Sequence, residues 1–485
     1  MSDPNHYPDY NSSRRNLLQA GSGLLGMNLF GLLNARALLA KTNNAIRPPR
    51  IRSCVFLFYY GGPSHLDTYD MKPNASSFVR GEFKPINSSV PGLQVCEHLP
   101  GMSKLMHKVA IVRSMHHTNR LHDSASTETF TGRQGPKGDR EELAPMEQFY
   151  PCHGSALSYF NKQHDIFRSG DQPPGLSNKV THATLPFLFH NVVTTPCQGG
   201  GFLGDQYDPF LISGNASKMS YQAELLKRPE ALSLKRIEDR RKLLSQIEQQ
   251  RSLQSTNGTR QLDSFSKRAY ELLDSRELPR TLKIEEEPKA IRERYGLTSD
   301  AALKTDAAAA LSGQRILRGQ NLLLARRLVE AGVPFVNVQD FRQQGRNWDS
   351  HRDNFGQHKR ILLPKADQAL SAFLEDMDDR GLLDSTLVVA LGEFGRTPKI
   401  NASAGRDHWP DCYSILLAGG GVRGGTAYGS SDRLGAYPDT NPCTPADLAA
   451  TIYWCFGLDH RAEIHDHNGR PHRISDGQPL TEIFG

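Results

Sequence analysis

Five continuous apolar runs constrain the fold of this chain more than any other feature. They are SCVFLFYY (53–60), KVAIVRSM (108–115), VPFVNVQD (333–340), STLVVAL (385–391) and YSILLAG (413–419). A strand with one face in water alternates apolar and polar residues, whereas a strand covered on both faces is apolar throughout. The runs therefore predict neighbouring strands of one mixed, mostly parallel sheet.

Helical patterns lie between these runs. Apolar residues recur every three or four positions in 315–332 and in 361–380, which end at Gly332 and Gly381. A third helix is predicted after Thr444, which suits an N-cap and is followed by Pro445 and Asp447. Helices alternating with buried strands predict a three-layer α/β/α fold.

The first 40 residues have the layout of a twin-arginine export signal. Arg14 and Arg15 precede a weakly apolar, glycine-rich stretch that ends in small residues. The alternative is a membrane-anchoring helix, but Gln19, Asn28 and four glycines interrupt the run 17–33 and disfavour a stable span. We expect a periplasmic or extracellular protein without a stable membrane span after signal removal.

Residues 50–485 are expected to form the main domain, and 216–312 a helical insertion within it. The insertion is expected because 216–312 is rich in charged, amphipathic helical patterns. The net charge is +6, with basic and acidic residues interspersed, so we expect no nucleic-acid partner. Seven cysteines without a CxxC pair give no zinc-ribbon or redox motif.

Polar side chains gather where the apolar runs end or begin. They are His65 and Asp67; His122, Asp123 and Ser124; Asp349 and His351; Glu393 and Arg396; and Asp407 and His408. Ligands of open α/β sheets bind beyond the carboxyl ends of the strands. A mixed set of histidines and carboxylates with few thiols suits a divalent cation: Zn²⁺, Ca²⁺, Mg²⁺ or Mn²⁺. The alternative for the histidine-rich stretch 346–360 is a solvated loop leading into a helix.

Five motifs, in order, carry a family resemblance. They are FLFYYGGPSHLDTYDMKP, VRSMHHTNRLHD, LLARRLVEAGVPFVNV followed by WDSH, LGEFGRTP and GRDHWP. Together they resemble the exported bacterial family called domain of unknown function 1501 (DUF1501), which is similar in fold to the alkaline phosphatase and sulfatase superfamily. The resemblance covers about 50–485 and implies an alkaline-phosphatase-like domain.

The resemblance also implies roles for the polar residues. The superfamily's nucleophile position falls near Asp123 and Ser124. The candidates for clamping a phosphate or sulfate are Arg113, Arg396 and Arg406, and the alternative for all three is a structural ion pair. The candidate metal ligands are His65, Asp67, His122, Asp349, His351, Glu393, Asp407 and His408. The chain departs from the superfamily pattern at Gly61–Gly62, where an aspartate ligand is expected, and it lacks the sulfatase motif C-x-P-S-R.

Two functions follow from these expectations. The first is an exported metal-dependent hydrolase of phosphate or sulfate esters, acting on a small or polymeric anionic substrate. The second is a degenerate superfamily member that binds an anionic ligand or surface polymer without turnover. A purely structural surface protein would leave the polar clusters unexplained. A common metal site requires polar atoms of Asp349, His351 and His408 within about 4–5 Å of one another.

Overall fold

The structure is a computed structural model. It describes residues 46–146, 148–167, 176, 179–191, 193–215, 220–223, 239, 243, 277–297, 313–341 and 347–485. Within these residues no helix has the length and apolar character needed to span a membrane. The predicted export signal, 1–40, lies outside the described residues.

A nine-stranded sheet forms the centre of the molecule. Its strands are β1 (Ser53–Phe58), β2 (Val109–Met115), β3 (His182–Leu185), β4 (Phe210–Asn215), β5 (Ser220–Ala223), β6 (Phe335–Gln339), β7 (Thr386–Leu391), β8 (Tyr413–Ala418) and β9 (Ala427–Tyr428). Their order across the sheet is β9-β2-β8-β7-β1-β6-β3-β4-β5. Short two-stranded sheets pair Pro85–Asn87 with Gln94–Cys96, Gly395–Arg396 with His408–Trp409, Ser430–Ser431 with Pro438–Thr440, and Glu463–His465 with Pro471–Arg473.

The predicted sheet is confirmed. The five apolar runs form β1, β2, β6, β7 and β8, and these strands occupy adjacent positions. β1 is parallel to β6 and β7, whereas β8 is antiparallel to both β2 and β7. Because β8 runs in the opposite direction, the residues before it lie at the same edge as the residues that follow β1, β2, β6 and β7.

The helices form two packed groups. Those bounded in the structure are α1 (Ser77–Arg80), α2 (Pro100–Leu105), α3 (His122–Thr131), α4 (His153–His164), α5 (Glu277–Thr281), α6 (Lys289–Arg294), α7 (Gly313–Glu330), α8 (Asn354–Gln357), α9 (Leu363–Asp379) and α10 (Pro445–Cys455). One group contains α2, α7 and α9, and the other contains α3, α4 and α10. Together with the sheet they give the predicted α/β architecture with helical outer layers.

Local sequence signals account for several helix ends. Thr444 and Asp447 form a reciprocal capping box at the start of α10, as their spacing predicts. Gly332 and Gly381, which follow α7 and α9, have φ of +87° and +65°, a conformation that glycine adopts without steric cost. A π-helical turn, His358–Leu362, joins α8 to α9.

Most of the predicted insertion, 216–312, lies outside the described residues. Within its described part, the prediction of helix is wrong for Ser220–Ala223, which form β5 of the central sheet because they pair with β4. The described part between 277 and 297 is helical in α5 and α6 and packs against α7 and α9. Its Glu287 carboxylate binds Arg326 of α7 at 2.8 Å, and the buried Arg326 also binds Asp376 of α9 at 2.9 Å. A buried ion-pair network therefore fixes this segment to the main domain.

Candidate metal centre

Three histidines and one aspartate converge at the carboxyl edge of the sheet. His122 begins α3, Asp349 and His351 lie in the segment between β6 and α8, and His408 lies just before β8. Among the described residues, His122, Asp349 and His408 form a group whose ligand atoms all lie within 4.8 Å of one another. His351 Nε2 lies 3.0 Å from both His408 Nε2 and Asp349 Oδ1. The distances required for a common site are therefore met.

Backbone contacts place Asp349 in this cluster. The Asn347 side chain donates to the Tyr60 carbonyl at 3.1 Å and accepts the Asp349 N–H at 3.0 Å. Gly61 has φ of +108°, and a Cβ there would lie 2.5 Å from the Asp349 nitrogen. Glycine is needed at Gly61, because any larger residue would displace the Asp349 loop. The Gly61–Gly62 departure from the superfamily pattern thus admits this loop.

Each histidine is held through its Nδ1 atom. His122 Nδ1 lies 2.6 Å from Glu393 Oε1, and His351 Nδ1 lies 2.7 Å from Asp407 Oδ1. His408 Nδ1 lies 2.7 Å from the Arg120 carbonyl oxygen. Ionised carboxylates and carbonyls only accept hydrogen bonds, so Nδ1 is the protonated nitrogen of each neutral ring.

The three Nε2 atoms consequently face Asp349 and one another. In neutral rings they present lone pairs to each other and to a carboxylate, an arrangement that only a proton or a cation can stabilise. His122 Nε2 is buried without a hydrogen-bond partner and lies 3.5 Å from Asp349 Oδ2. The imidazole nitrogens of His122 and His408, together with the Asp349 carboxylate, fit a divalent transition-metal ion.

The ionisation of the cluster reflects the same electrostatics. Burial alone would lower the pKa of His122, but the Asp349 and Glu393 carboxylates outweigh it and raise the pKa to about 9. Burial would raise the pKa of Asp349, but His122, His351, His408 and Arg396 hold it far below its usual range. Burial lowers the pKa of His408, so that ring favours its neutral form, whereas the hydrogen bond to Asp349 raises the pKa of His351. Positive charge is therefore favoured at the centre of the cluster.

Arg396 binds Asp349 from the buried side of the cluster. It is fully buried, and its Nη2 donates to Asp349 Oδ1 at 2.7 Å. Its guanidinium also donates to the carbonyls of Gly61, Gly62 and Arg406. These contacts hold the loops of the cluster together, so the observed role of Arg396 is to position Asp349. The predicted clamping of a substrate anion by Arg396 stays a prediction.

Four other predicted site residues have partners elsewhere. Asp67 forms a fully buried ion pair with Arg406, and His65 Nε2 lies 2.8 Å from the Gly435 carbonyl. Asp123 accepts from Thr195 and from the Glu142 N–H, and Ser124 donates to Asp139. Among the described contacts, none joins these four side chains to the cluster. A buried carboxylate needs a partner, and Arg406 supplies it for Asp67.

The sequence indicated some residues of the site without indicating which atoms they contact. Glu393 and Asp407, predicted as ligands, bind the Nδ1 atoms of His122 and His351. The Arg120 carbonyl carries no sequence signal because every residue has one. The contact of Asn347 could have been predicted, since an Asn two residues before Asp349 can accept the Asp349 N–H in an Asx turn.

Comparisons with known proteins place the chain in a family. A comparison with curated proteins finds no match. The structure is similar to the PsFucS1 sulfatase from Pseudoalteromonas sp., at 13% identity over 89% of this chain and 72% of that chain, with a TM-score of 0.36. It is also similar to the lipoteichoic acid synthase LtaP from Listeria monocytogenes, at 9% identity over 86% and 74% of the two chains, with a TM-score of 0.32.

A third solved structure, BT4656 in complex with its substrate D-glucosamine-2-N,6-O-disulfate, shows 13% identity over 90% of this chain and 80% of that chain, with a TM-score of 0.35. These similarities are too distant to assign an activity. The model of a protein family of unknown function, DUF1501, matches residues 51–484. Because that match spans most of the chain, the chain belongs to the DUF1501 family.

Proposed function

We propose that this protein is an exported metal-dependent hydrolase of phosphate or sulfate esters. The observation that carries the proposal is the inward orientation of three histidine Nε2 atoms around Asp349, with each Nδ1 held from outside. His122, Asp349 and His408 would hold the cation, with His351 beside them. Imidazole-rich sites favour Zn²⁺ over Ca²⁺, Mg²⁺ and Mn²⁺, which prefer oxygen ligands.

The charge of the cluster suits an anionic substrate. Asp349 and Glu393 are partly offset by Arg396, which leaves one net negative charge among these three side chains. A bound divalent cation would make the cluster positive, lower the pKa of water and polarise an ester oxygen. Because the groups around the cation are already held in place, they need little rearrangement when a phosphate or sulfate ester binds.

His351 is the cluster member most accessible to a substrate. Its side chain is 41% exposed, whereas that of His122 is 2% exposed. Asp407 keeps a proton on His351 Nδ1, so its Nε2 is the atom that can take up or release a proton at the open side of the site. Burial of His122 and Arg396 keeps water from the inner side.

Binding without turnover is the second candidate function. It is favoured by the contacts of Asp123 and Ser124, the predicted nucleophile region, because both side chains bind groups outside the cluster. A hydrolase would then depend on activated water, whereas a binding protein would need no nucleophile. Turnover of an ester distinguishes the two.

The decisive experiment combines metal analysis with an ester screen. The purified protein should contain about one equivalent of a divalent metal per cluster and hydrolyse 4-nitrophenyl phosphate or 4-nitrophenyl sulfate. His408→Ala should lose the metal, because it removes a ligand atom from the group. His107→Ala is the control, since His107 is exposed and binds Ser89 instead.

Two outcomes would contradict the proposal. Equal metal content in His408→Ala and the wild type would show that the cluster is not the metal site. Metal bound in the cluster without hydrolysis of either ester class would favour anion binding without turnover. Export is part of the same proposal and is tested separately through Arg14 and Arg15.

A further inference from the structure

We propose that Glu393 is a positioning residue and not a metal ligand: it fixes the ring orientation and tautomer of His122, and His117 in turn holds Glu393. This inference rests on the proposed metal site. It departs from the expectation drawn from the family resemblance, which placed Glu393 among the ligands.

Both oxygens of the Glu393 carboxylate contact hydrogen-bond donors, and the Gly61 N–H is shared between them. The residue is fully buried in the loop after β7. The Gly61 N–H lies 2.9 Å from Oε1 and 3.1 Å from Oε2, and Oε1 also lies 2.6 Å from His122 Nδ1. An ionised carboxylate can only accept, so a neutral His122 ring must carry its proton on Nδ1. Its Nε2 lone pair is then directed at Asp349 and His408.

His117 fixes the backbone of Glu393. The N–H of Asn119 lies 3.1 Å from His117 Nδ1, and a backbone amide can only donate. His117 Nδ1 is therefore an acceptor, and its Nε2–H donates to the Glu393 carbonyl at 2.6 Å. Two hydrogen bonds thus determine the tautomer of His117, and one hydrogen bond, to Glu393, determines that of His122.

Gly61 connects this series of hydrogen bonds to Asp349, the second proposed ligand. Its N–H holds Glu393, and its carbonyl accepts from Arg396, which also holds Asp349. The positions of His122 and Asp349 therefore depend on the same backbone turn. Carboxylates that orient metal-bound histidines in this way typically change metal affinity 10–100-fold when removed, as an order of magnitude.

The test compares Glu393→Ala with the nearly isosteric Glu393→Gln. Zn²⁺ affinity is measured by competition with a chelator, and the coordination number by the absorption spectrum of the Co²⁺-loaded protein. We expect affinity to fall about 10–100-fold in Glu393→Ala and less in Glu393→Gln, whose amide oxygen can still accept from His122. The Co²⁺ spectrum should keep the same coordination number in both variants.

Asp407→Ala is the matched control. It removes a carboxylate that binds another histidine Nδ1 at 2.7 Å, but Asp407 is 53% exposed, so water can replace it. We expect a smaller loss of affinity than in Glu393→Ala. Unchanged affinity in Glu393→Ala, or a lower coordination number in either Glu393 variant, would overturn the positioning role.

A metal-free measurement separates this inference from the proposed function. With ¹⁵N-labelled histidine, ring nitrogen shifts recorded at a pH where the metal-free His122 ring is neutral should show the ring proton on Nδ1 in the wild type and in Glu393→Gln, and mixed tautomers in Glu393→Ala. A wild type that binds no divalent cation but shows these shifts would contradict the proposed function and leave the positioning role intact. A proton on Nε2 in the wild type would contradict the positioning role itself.

Discussion

Replacing Asp67 by asparagine should destabilise the fold strongly while leaving the candidate metal centre in place. Asp67 and Arg406 are both fully buried and joined by two bonds, 2.8 Å to Oδ2 and 3.0 Å to Oδ1. Asn354 also donates to Asp67 Oδ2 at 2.9 Å. Burial would raise the pKa of Asp67, but Arg406 outweighs it and lowers the pKa, so the carboxylate is ionised.

The substitution leaves a buried guanidinium without its counter-charge. An asparagine offers only one acceptor oxygen and turns an amide N–H₂ towards existing donors. Removing one partner of a buried pair typically costs about 3–5 kcal/mol. That is a large part of the roughly 5–15 kcal/mol by which folded domains are stable.

Guanidinium denaturation, followed by tryptophan fluorescence, measures the free energy of unfolding. Asp353→Asn is the matched control, because Asp353 binds Arg360 at 2.9 Å with both side chains at least 60% exposed. Its loss should cost less than about 1 kcal/mol. An unfolding free energy for Asp67→Asn equal to that of the control would refute the structural role. Loss of bound metal with unchanged stability would instead restore Asp67 as a ligand.

Two further predictions concern export and pH. Replacing Arg14 and Arg15 by lysines should leave the precursor inside the cell, because the twin arginines are the proposed export signal; unchanged secretion, measured by fractionation, would contradict it. Burial lowers the pKa of His153 from 6.5 to about 4, so the unfolded chain binds a proton first as pH falls. Below about pH 6.5 the free energy of unfolding should fall, by up to about 1.4 kcal/mol per pH unit, until about pH 4. Denaturation at several pH values should show a shallower slope in His153→Gln, and an equal slope would be evidence against the effect.

The central sheet could be predicted from the sequence because burial restricts the residue types within each strand. A strand covered on both faces is apolar at nearly every position, and β1, β7 and β8 show this, since Ser53, Thr386 and Ser414 interrupt otherwise apolar strands. Helix ends such as Thr444 and Gly381 were also recognisable, since capping and positive φ depend on local residue types. The direction of each strand could not be recognised from the sequence, because the reversal of β8 depends on the strands beside it.

The candidate site was determined only in part by the sequence. The residue types at the strand ends indicated which histidines and carboxylates reach the carboxyl edge, and the proximity of Asp349, His351 and His408 followed from that edge. Tertiary structure decided which carboxylates face the centre. Asp67 and Asp349 have the same chemistry, yet Asp67 lies against Arg406 in the interior, whereas Asp349 lies among three imidazoles. The distinction arises because a buried charge takes its role from the groups packed around it, and these come from segments distant in the chain.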